Sequence, residues 1–445
     1  MKTVLVLGAG LSATSLIDYL LRGSEKYDWQ VIVGDSDPAV ASRKINSHPN
    51  ARSVFFDVLD NSLVQQYVSQ CDVAVSLLPA RFHPIIARAC VDHGKHMVTA
   101  SYVSPEMKAL DAEARAKNLI FINEVGVDPG LDHMSAMKVI DEIRSKGGKL
   151  LSFKSSTGGL IAPEYDDNPW HYKFTWNPRN VVLAGQGTAR FIRNGRYKYI
   201  PYHLIYKRLE TTSVPGYGDF EIYANRDSLS YRETYGLKDI PTLFRGTMRR
   251  PGYCEAWNVF IQLGITDDTY VYEDSENATY RDFINSYLRY DPLAKVEDKL
   301  CEFLGLDRHG EIMKKLEWLG IFDDKRINMK NATPAQILQK LLEEKWALGA
   351  DDKDMIVMQH QFEYELSGKK QGIRSSMVYI GKDRSNTAMA ITVGIPAAIA
   401  TKMVLNDEYI TPGVSVPVIP ELYMPILNEL EQYEIRFTEE HFEID

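Results

Sequence analysis

Three small residues near the start of the chain have the spacing of a phosphate-binding turn. Gly8, Gly10 and Ala13 form a G-x-G-x-x-A pattern after an apolar run and before a segment with helical periodicity. The first glycine permits a tight turn, the second lets a pyrophosphate approach the backbone, and the alanine lets the helix pack closely. Amide groups at the start of that helix would bind phosphate oxygens. The pattern predicts a dinucleotide site; the alternative is a turn that serves packing alone. The predicted cofactor contacts are Gly8, Gly10, Leu11, Ser12 and Ala13.

A carboxylate at the end of the second predicted strand bears on which dinucleotide is bound. Asp35 lies about 20 residues after Ala13, where an acidic side chain accepts hydrogen bonds from ribose hydroxyls and would repel a 2′-phosphate. This position favours NAD. NADP is the alternative, because Arg43 and Lys44 follow in the sequence and could help to bind a phosphate. Asp35 could instead be a solvated residue that begins the turn 35–38.

Further polar or small residues follow later strands. Ser76, Leu77 and Leu78 lie at the C-terminal end of the fourth predicted strand, where the backbone of such a domain borders the ribose and pyrophosphate. We therefore predict that these three residues contact the cofactor. The segments 99–105 and 123–133 end the next two strands and contain hydroxyl, carboxylate and histidine side chains. They are the expected place for a substrate.

Alternating strands and helices must position these residues. Residues 1–125 predict a Rossmann domain with a doubly wound parallel sheet, because short apolar runs alternate with helical segments. The predicted strands are 3–7, 30–34, 54–56, 73–77, 96–99 and 120–123. Right-handed crossovers place the carboxyl ends of parallel strands along one edge of the sheet. Ligands are expected at that edge.

The rest of the chain predicts a second domain and a return to the first. Residues 126–264 are the predicted first part of a substrate domain, in which 150–260 are rich in Gly, Pro, Tyr, Trp and Arg and contain short β-like runs. Residues 265–350 are predicted to be helical. Residues 351–385 contain two returning strands, at 355–365 and 375–381. The segment 386–445 begins with an apolar helix that is too short to span a bilayer and is expected to pack on the Rossmann domain.

Composition excludes several classes of protein. The 445 residues carry a net charge of −9, so the chain has no electrostatic footprint for nucleic acid. The first strand begins at Thr3, so no signal peptide is predicted, and no membrane association is expected. Widely spaced cysteines predict free thiols in the cytoplasm. They are Cys71, Cys90, Cys254 and Cys301. No metal is predicted, and structural or surface roles are expected for His83, His93, His96 and His133.

A series of linked motifs runs through nearly the whole chain. The motifs are 99–105, 123–133, 158–160, 168–170, 172–176, 225–228, 245–249, 318–322 and 394–396. At these motifs the chain closely resembles saccharopine dehydrogenase of the glutamate-forming type. The resemblance implies an α/β fold in which C-terminal residues complete the Rossmann sheet and a mixed α+β substrate domain carries a helical insert. It also implies a homodimer, and the reversible oxidation of saccharopine by NAD(P)⁺ to glutamate and 2-aminoadipate 6-semialdehyde in lysine metabolism.

The resemblance also implies a set of substrate contacts. They are Ser101, Tyr102, Asp128, Arg226, Thr247, Met248 and Arg249. Saccharopine carries three carboxylates and a secondary amine, so Arg226 and Arg249 suit its carboxylates. The Ser101 and Tyr102 hydroxyls would complete the carboxylate or amine contacts. Asp128 suits the cationic amine, and Asp128 and Tyr102 are the candidate catalytic groups for proton transfer. The arginines could instead be solvated, and the segment 128–130 could be only a turn.

Two departures from the fungal enzymes and two other functions bear on this prediction. Thr157 stands where those enzymes carry a cysteine, and Asp35 stands where they carry a basic residue. One alternative is a reductive condensation of a polyamine with an aldehyde, as in carboxynorspermidine dehydrogenase. Arg226 and Arg249 argue against such a cationic substrate. The other alternative is a non-catalytic regulator that binds a nicotinamide cofactor and has retained the fold.

Overall fold

A computed structural model describes residues 1–444 and divides the chain into two compact units. Unit 1 consists of residues 1–150, 364–370 and 377–439. Unit 2 consists of residues 151–363, residues 371–376 and the C-terminal residues from 440. The domain boundary that we predicted after residue 125 thus falls inside unit 1. The next helix, Leu131–Ser145, belongs to this unit because it packs against a C-terminal helix, Pro420–Leu430.

The elements of the first part of the chain alternate between strand and helix. In chain order they are β1 (Lys2–Leu7), α1 (Ala13–Tyr27), β2 (Trp29–Asp35), α2 (Pro38–Ile45), β3 (Ala51–Phe55), α3 (Asn61–Ser69), β4 (Val73–Ser76), α4 (His83–His93), β5 (His96–Val98), α5 (Pro105–Ala109), α6 (Asp111–Ala116), β6 (Ile120–Ile122) and α7 (Leu131–Ser145).

The remaining elements form a mixed region followed by a return to unit 1. They are β7 (Lys149–Ile161), α8 (Pro178–Val182), β8 (Ala189–Arg193), β9 (Arg196–Ile200), α9 (Tyr202–Ile205), β10 (Glu210–Val214), β11 (Gly218–Ala224), α10 (Tyr231–Thr234), β12 (Thr242–Arg249), α11 (Tyr253–Leu263), α12 (Tyr280–Asn285), α13 (Val296–Leu304), α14 (Glu311–Leu319), α15 (Pro334–Trp346), β13 (Asp354–Leu366), β14 (Lys369–Ile380), α16 (Ala388–Leu405), β15 (Gly413–Ser415), α17 (Pro420–Leu430) and β16 (Thr438–Glu443).

Unit 1 is built on a seven-stranded sheet in the order β15-β6-β5-β4-β1-β2-β3. Its strand pairs are parallel, as the fold prediction required. Within β1, Val4 to Leu7 have no solvent exposure, which is expected of a parallel strand covered on both faces. Leu7 pairs with Gly34 of β2 and with Ser76 of β4, so these three strands end level with one another.

C-terminal residues complete unit 1, which confirms the predicted fold class. Strand β15 adds to the sheet beside β6, where Gly413 pairs with Ile120. Helix α16 packs against α1, and Gly394 is the point of close approach. A Cβ atom on Gly394 would lie 2.9 Å from the Ser12 carbonyl oxygen and 3.0 Å from the Leu16 amide nitrogen. The absence of a side chain therefore permits this packing.

Helix α16 is long and apolar enough to cross a membrane by length and composition alone. However, 83% of this helical window is buried inside the protein. The helix begins with a cap in which the Ala390 amide donates to Thr387 Oγ1 at 3.0 Å. Pro396 lies inside the helix and is itself buried. This burial is the pattern of a core helix, as predicted, but the prediction that the helix is too short to span a bilayer was wrong.

Unit 2 contains most of a mixed sheet in the order β10-β11-β12-β7-β13-β14-β16, with β8 and β9 attached through β12. Strands β10, β11 and β12 are antiparallel neighbours, whereas β12 and β7 are parallel. The four helices α12 to α15 are the predicted helical insert. Trp170 is fully buried among aromatic rings, and its indole N–H donates to the Lys315 carbonyl oxygen at 2.9 Å. It is therefore a core residue of this unit.

The second returning strand begins earlier than we predicted. Strand β14 starts at Lys369, whereas the sequence indicated residue 375. The preceding residues Ser367 and Gly368 both have positive φ values, of 52° and 79°. Two such residues in succession form the tight turn that suits a two-stranded hairpin, so pairing can begin at once. The polar character of 369–374 concealed this strand.

Gly394→Ala tests the contact between α16 and α1. The added methyl group must displace backbone atoms of α1, so we expect a loss of about 1–3 kcal/mol in the free energy of unfolding. Chemical denaturation of the protein without ligand measures it. Gly10→Ala is the matched control, because a Cβ atom there meets no atom within 4 Å. Equal stability of both variants would contradict the packing argument.

Candidate active site

The turn after β1 has the geometry that the glycine pattern predicted. Gly8 has a φ of +95°, and a Cβ atom there would lie 3.0 Å from the Leu77 carbonyl oxygen. The space beside Gly10 is open, since an added Cβ atom would meet nothing within 4 Å. The Ser12 side chain does not cap α1. The first two helix amides, those of Ala13 and Thr14, donate to the carbonyl oxygens of Gly10 and Leu11 at 3.1 Å and 3.4 Å. An open turn at the start of a helix that has no side-chain cap fits a pyrophosphate.

Asp35 is bonded to this turn rather than merely solvated. Its Oδ2 accepts a hydrogen bond from the Ala9 amide at 2.7 Å, and its Oδ1 accepts one from the Asp37 amide at 2.9 Å. The carboxylate is therefore held in one orientation at the end of β2. Lys44 donates a hydrogen bond to Thr14 Oγ1, and burial lowers the pKa of its ammonium group. Arg43 is exposed.

The predicted contacts after β4 take different positions. Ser76 is fully buried, and its hydroxyl lies 2.8 Å from His83 Nδ1. The Leu77 amide donates to the Leu7 carbonyl oxygen at 2.8 Å. The backbone therefore stays hydrogen-bonded to β1 for one residue beyond the end of β4. Leu77 thus borders Gly8, whereas the side chain of Ser76 contacts His83.

Tyr102 and Asp128, two of the predicted substrate contacts, lie together in unit 1. The Tyr102 hydroxyl donates to Asp128 Oδ1 at 3.4 Å, and 51% of the Tyr102 side chain is exposed. Asp128 stands on a closed turn in which the Gly126 amide donates to the Pro129 carbonyl oxygen at 3.0 Å. A Cβ atom on Gly130 would lie 2.1 Å from the Gly126 carbonyl oxygen, so the turn requires glycine there. The segment 128–130 is a turn, and this turn presents the carboxylate.

Glu124 supports the loop that carries Ser101 and Tyr102, and the sequence prediction missed it. Its amide donates to the Ser101 carbonyl oxygen at 3.1 Å, and its Oε1 accepts from the Val103 amide at 2.9 Å. Its Oε2 lies 2.7 Å from Nε2 of the fully buried His133. Glu124 has a left-handed backbone, with a φ of 58°. The sequence predicted a structural or surface role for His133 without indicating this partner, because the two residues lie nine positions apart.

His83 also has a defined place that the sequence did not reveal. It begins α4 and is 2% exposed. Its Nδ1 lies 2.8 Å from Ser76 Oγ, and its Nε2 lies 2.8 Å from Ser101 Oγ. Burial lowers the pKa of His83 to about 4. The imidazole is therefore neutral at physiological pH. It connects Ser76, a predicted cofactor contact, with Ser101, a predicted substrate contact.

In unit 2, Arg226 and Thr247 both lie near the C-terminal end of β11. Tyr223 of β11 pairs with Thr247 of the antiparallel strand β12, and Arg226 lies two residues beyond the last residue of β11. Thr247 Oγ1 donates to Asn225 Oδ1 at 2.7 Å. Arg226 is exposed, and its guanidinium group forms no hydrogen bond or ion pair with any residue of 1–444. This group is available to bind a carboxylate.

Arg249 and Met248 are enclosed within unit 2. The Arg249 guanidinium carbon lies 5.0 Å from the Tyr172 ring centre and 5.3 Å from that of Tyr253, and the side chain is buried. Burial raises the pKa of both phenols, which keeps them neutral. No carboxylate within residues 1–444 forms an ion pair with Arg249; one of its nitrogens donates to the Met248 carbonyl oxygen at 2.9 Å. Thr157 pairs in register with Thr247, and its buried hydroxyl has no hydrogen-bond partner among these residues.

Comparison with protein families agrees with this architecture. A model described as the saccharopine dehydrogenase NADP binding domain matches residues 4–122. A second, described as the saccharopine dehydrogenase C-terminal domain, matches residues 126–435. The chain belongs to the saccharopine dehydrogenase family. The family resemblance inferred from the linked motifs is thereby confirmed.

Individual members of the saccharopine dehydrogenase family match over their whole length. A Schizosaccharomyces pombe protein named saccharopine dehydrogenase [NADP(+), L-glutamate-forming] is 34% identical over 99% of both chains. The Saccharomyces cerevisiae protein of the same name is 33% identical over 97% of both chains. The solved apo structure of the L-Glu-forming enzyme from Saccharomyces cerevisiae has a TM-score of 0.90 at 32% identity, covering 99% of this chain and 100% of that chain.

Glu124→Ala tests the support of the Ser101–Val103 loop. It removes the acceptor of the Val103 amide and one buried hydrogen bond of His133, so we expect a loss of about 1–3 kcal/mol in the free energy of unfolding. Urea denaturation measures this loss. Glu365→Ala is the control, because that carboxylate is exposed in the same unit. If Glu124→Ala is as stable as the control variant, these hydrogen bonds contribute nothing to stability.

Proposed function

We propose that this protein is a saccharopine dehydrogenase of the glutamate-forming type. The observation that carries the proposal is the identity of about one third along the entire length of enzymes bearing that name. In the proposed reaction, saccharopine, water and an oxidised nicotinamide dinucleotide give glutamate, 2-aminoadipate 6-semialdehyde, the reduced dinucleotide and a proton. The reaction belongs to lysine metabolism and runs in either direction.

The Tyr102–Asp128 pair is suited to the proton transfers that this reaction needs. When bound, the nicotinamide supplies the acceptor for a hydride from the carbon next to the saccharopine nitrogen. That nitrogen must first lose its proton, because its lone pair forms the carbon–nitrogen double bond of the imine. We propose that Asp128 takes this proton, and that the half-exposed Tyr102 hydroxyl, which donates a hydrogen bond to Asp128, exchanges protons with water. Water then adds to the imine carbon, and glutamate leaves with the nitrogen.

Arg226, Ser101 and Arg249 differ in how well their side chains are suited to bind a substrate carboxylate. Arg226 presents an exposed guanidinium group, whose planar donors match a carboxylate. Ser101 offers a hydroxyl in the loop that carries Tyr102. Arg249 is enclosed by tyrosine rings, so a direct contact of its side chain with a carboxylate requires those rings to move. Thr247, Met248 and Arg249 stay predictions as contacts, and Thr247 has the more accessible side chain.

The cofactor that we propose for this chain is NAD. The family model and the named fungal relatives refer to NADP, so they support a nicotinamide dinucleotide and favour the alternative cofactor, NADP. The finer choice rests on Asp35, whose carboxylate is fixed at the end of β2 by two backbone amides. A fixed negative charge there suits ribose hydroxyls and repels a 2′-phosphate.

The protein's partners and location stay predictions from sequence. We propose that it works on a small amino-acid substrate as a cytoplasmic homodimer, without nucleic acid or membrane. A non-catalytic regulator would bind NADH but would not consume it when glutamate and 2-aminoadipate 6-semialdehyde are added. Steady-state oxidation of saccharopine with each cofactor in turn therefore tests the proposed activity directly, and no turnover with either cofactor would refute it.

Asp128→Ala should separate catalysis from cofactor binding. Without the base we expect kcat/KM for saccharopine to fall by about 10²–10⁴-fold, while dinucleotide affinity stays unchanged. Absorbance of the reduced cofactor measures turnover, and fluorescence titration measures binding. The matched control is Asp351→Ala, which removes an exposed carboxylate from unit 2. Unchanged turnover in Asp128→Ala would remove this residue from the mechanism.

Asp35→Asn tests the cofactor preference without breaking the turn. Asparagine keeps an oxygen for the Ala9 amide but removes the charge. We expect the preference for NAD over NADP, measured as the ratio of kcat/KM values, to fall by about tenfold, the scale of one partly screened charge pair. Asp37→Asn is the control, because the Asp37 side chain caps α2 through the Ala39 amide. If the wild-type protein prefers NADP, and the ratio of kcat/KM values is the same in Asp35→Asn, then NAD is not the cofactor.

A further inference from the structure

A buried hydrogen-bond chain crosses the ligand edge of the unit 1 sheet. Ser76 ends β4, Ser101 follows β5, and the imidazole of His83 lies between their hydroxyl groups at 2.8 Å from each. Ser76 and His83 are buried, whereas Ser101 is partly exposed. The chain therefore runs from the interior of the unit to a hydroxyl that a ligand can reach.

A neutral imidazole gives this chain a direction. Burial lowers the pKa of His83 to about 4, so the ring carries one N–H group and one free lone pair at physiological pH. One serine must then donate its proton to the ring, and the other must accept a proton from it. The two arrangements give Ser101 opposite roles toward a ligand.

The burial of Ser76 decides between the two arrangements. Its hydroxyl has no hydrogen-bond partner other than His83 among residues 1–444. If Ser76 accepted from Nδ1, its own hydrogen would be buried without an acceptor, which costs free energy. Ser76 must therefore donate to Nδ1. The imidazole proton is then on Nε2, which donates to Ser101 Oγ and lies 3.5 Å from Thr99 Oγ1.

We propose that His83 is a positioning residue that directs the Ser101 hydroxyl hydrogen toward the substrate. One lone pair of Ser101 is occupied by the Nε2–H group, so the hydroxyl offers its own proton to an acceptor. A carboxylate oxygen fits this donor better than a protonated amine does. Ser101 therefore binds a substrate carboxylate. That role of Ser101 rests on the proposed saccharopine activity, whereas the direction of the hydrogen-bond chain does not.

The protonation state of His83 can be observed directly in the wild-type protein. In ¹⁵N-histidine-labelled protein, long-range ¹H–¹⁵N correlation distinguishes a ring protonated at Nε2 from one protonated at Nδ1. The His83 signal is identified by its loss in His83→Gln. We expect the Nε2–H form at pH 7, without protonation of Nδ1 down to pH 5. An Nδ1–H or doubly protonated ring at pH 7 would overturn the proposal.

Ser76→Ala supplies a second arm of the same measurement. This change removes the donor that holds the lone pair on Nδ1, so we expect part of the His83 population to move to the Nδ1–H form. Ser69→Ala is the control, because that exposed serine donates to the Gln66 carbonyl oxygen within α3. A spectrum of His83 unaltered by Ser76→Ala would refute the direction of the chain.

Kinetics test whether His83 acts through Ser101. We expect His83→Phe and Ser101→Ala each to lower kcat/KM for saccharopine by about tenfold, mainly through KM, and the double variant to be no worse than either. His83→Gln keeps a donor near Ser101 and should recover part of the loss. If the double variant instead lowers kcat/KM by about 100-fold, the two residues act independently, and the positioning role is refuted. Absence of any turnover in the wild type would refute the proposed function, while the NMR result would still test the hydrogen-bond chain.

Discussion

The level carboxyl ends of three parallel strands are the constraint on which the ligand edge of unit 1 depends. Leu7 pairs with both Gly34 and Ser76, so the residues that follow these strands must share one small space. This crowding explains why Gly8 can have no side chain. It also brings the Asp35 carboxylate to the Ala9 amide. The cofactor turn is therefore shaped by strand register as much as by its own glycines.

A second layer of buried polar groups supports the residues that would do the chemistry. Ser101 is bonded to His83, and the Ser101–Val103 loop is also bonded to Glu124, which is in turn bonded to His133. The loop is thus fixed at both ends by groups that are largely hidden from solvent. Such support is what keeps a reactive pair in place on a connecting segment.

The regular part of unit 1 could be predicted from the sequence because local patterns determine it. Apolar runs of strand length, a glycine turn and an acidic residue at the end of β2 are all short-range signals. The completion of the sheet by β15 was implied only by the family resemblance, since three residues such as Gly413–Ser415 carry no strand signal of their own. The early start of β14 was missed because its first residues are polar and exposed.

The roles of the histidines and of Arg249 could not be predicted in the same way. His83 bridges residues that are seven and eighteen positions away, and no spacing rule encodes such a bridge. Arg249 was expected to meet carboxylates, whereas the structure surrounds it with tyrosine rings from three other segments. Such environments depend on tertiary packing between distant segments, which the residue spacing in a single sequence does not reveal.

The return of the C-terminal segment to unit 1 has a consequence for the order of events during synthesis. Strand β15 and helix α16 emerge from the ribosome only after all the helices of the insert in unit 2 have been made. Until then, the α1 surface that receives Gly394 and the outer edge of β6 are uncovered. During this interval the amino-terminal part of unit 1 is incomplete, and the exposed edge of β6 can pair with a strand of another molecule. Such pairing leads to aggregation.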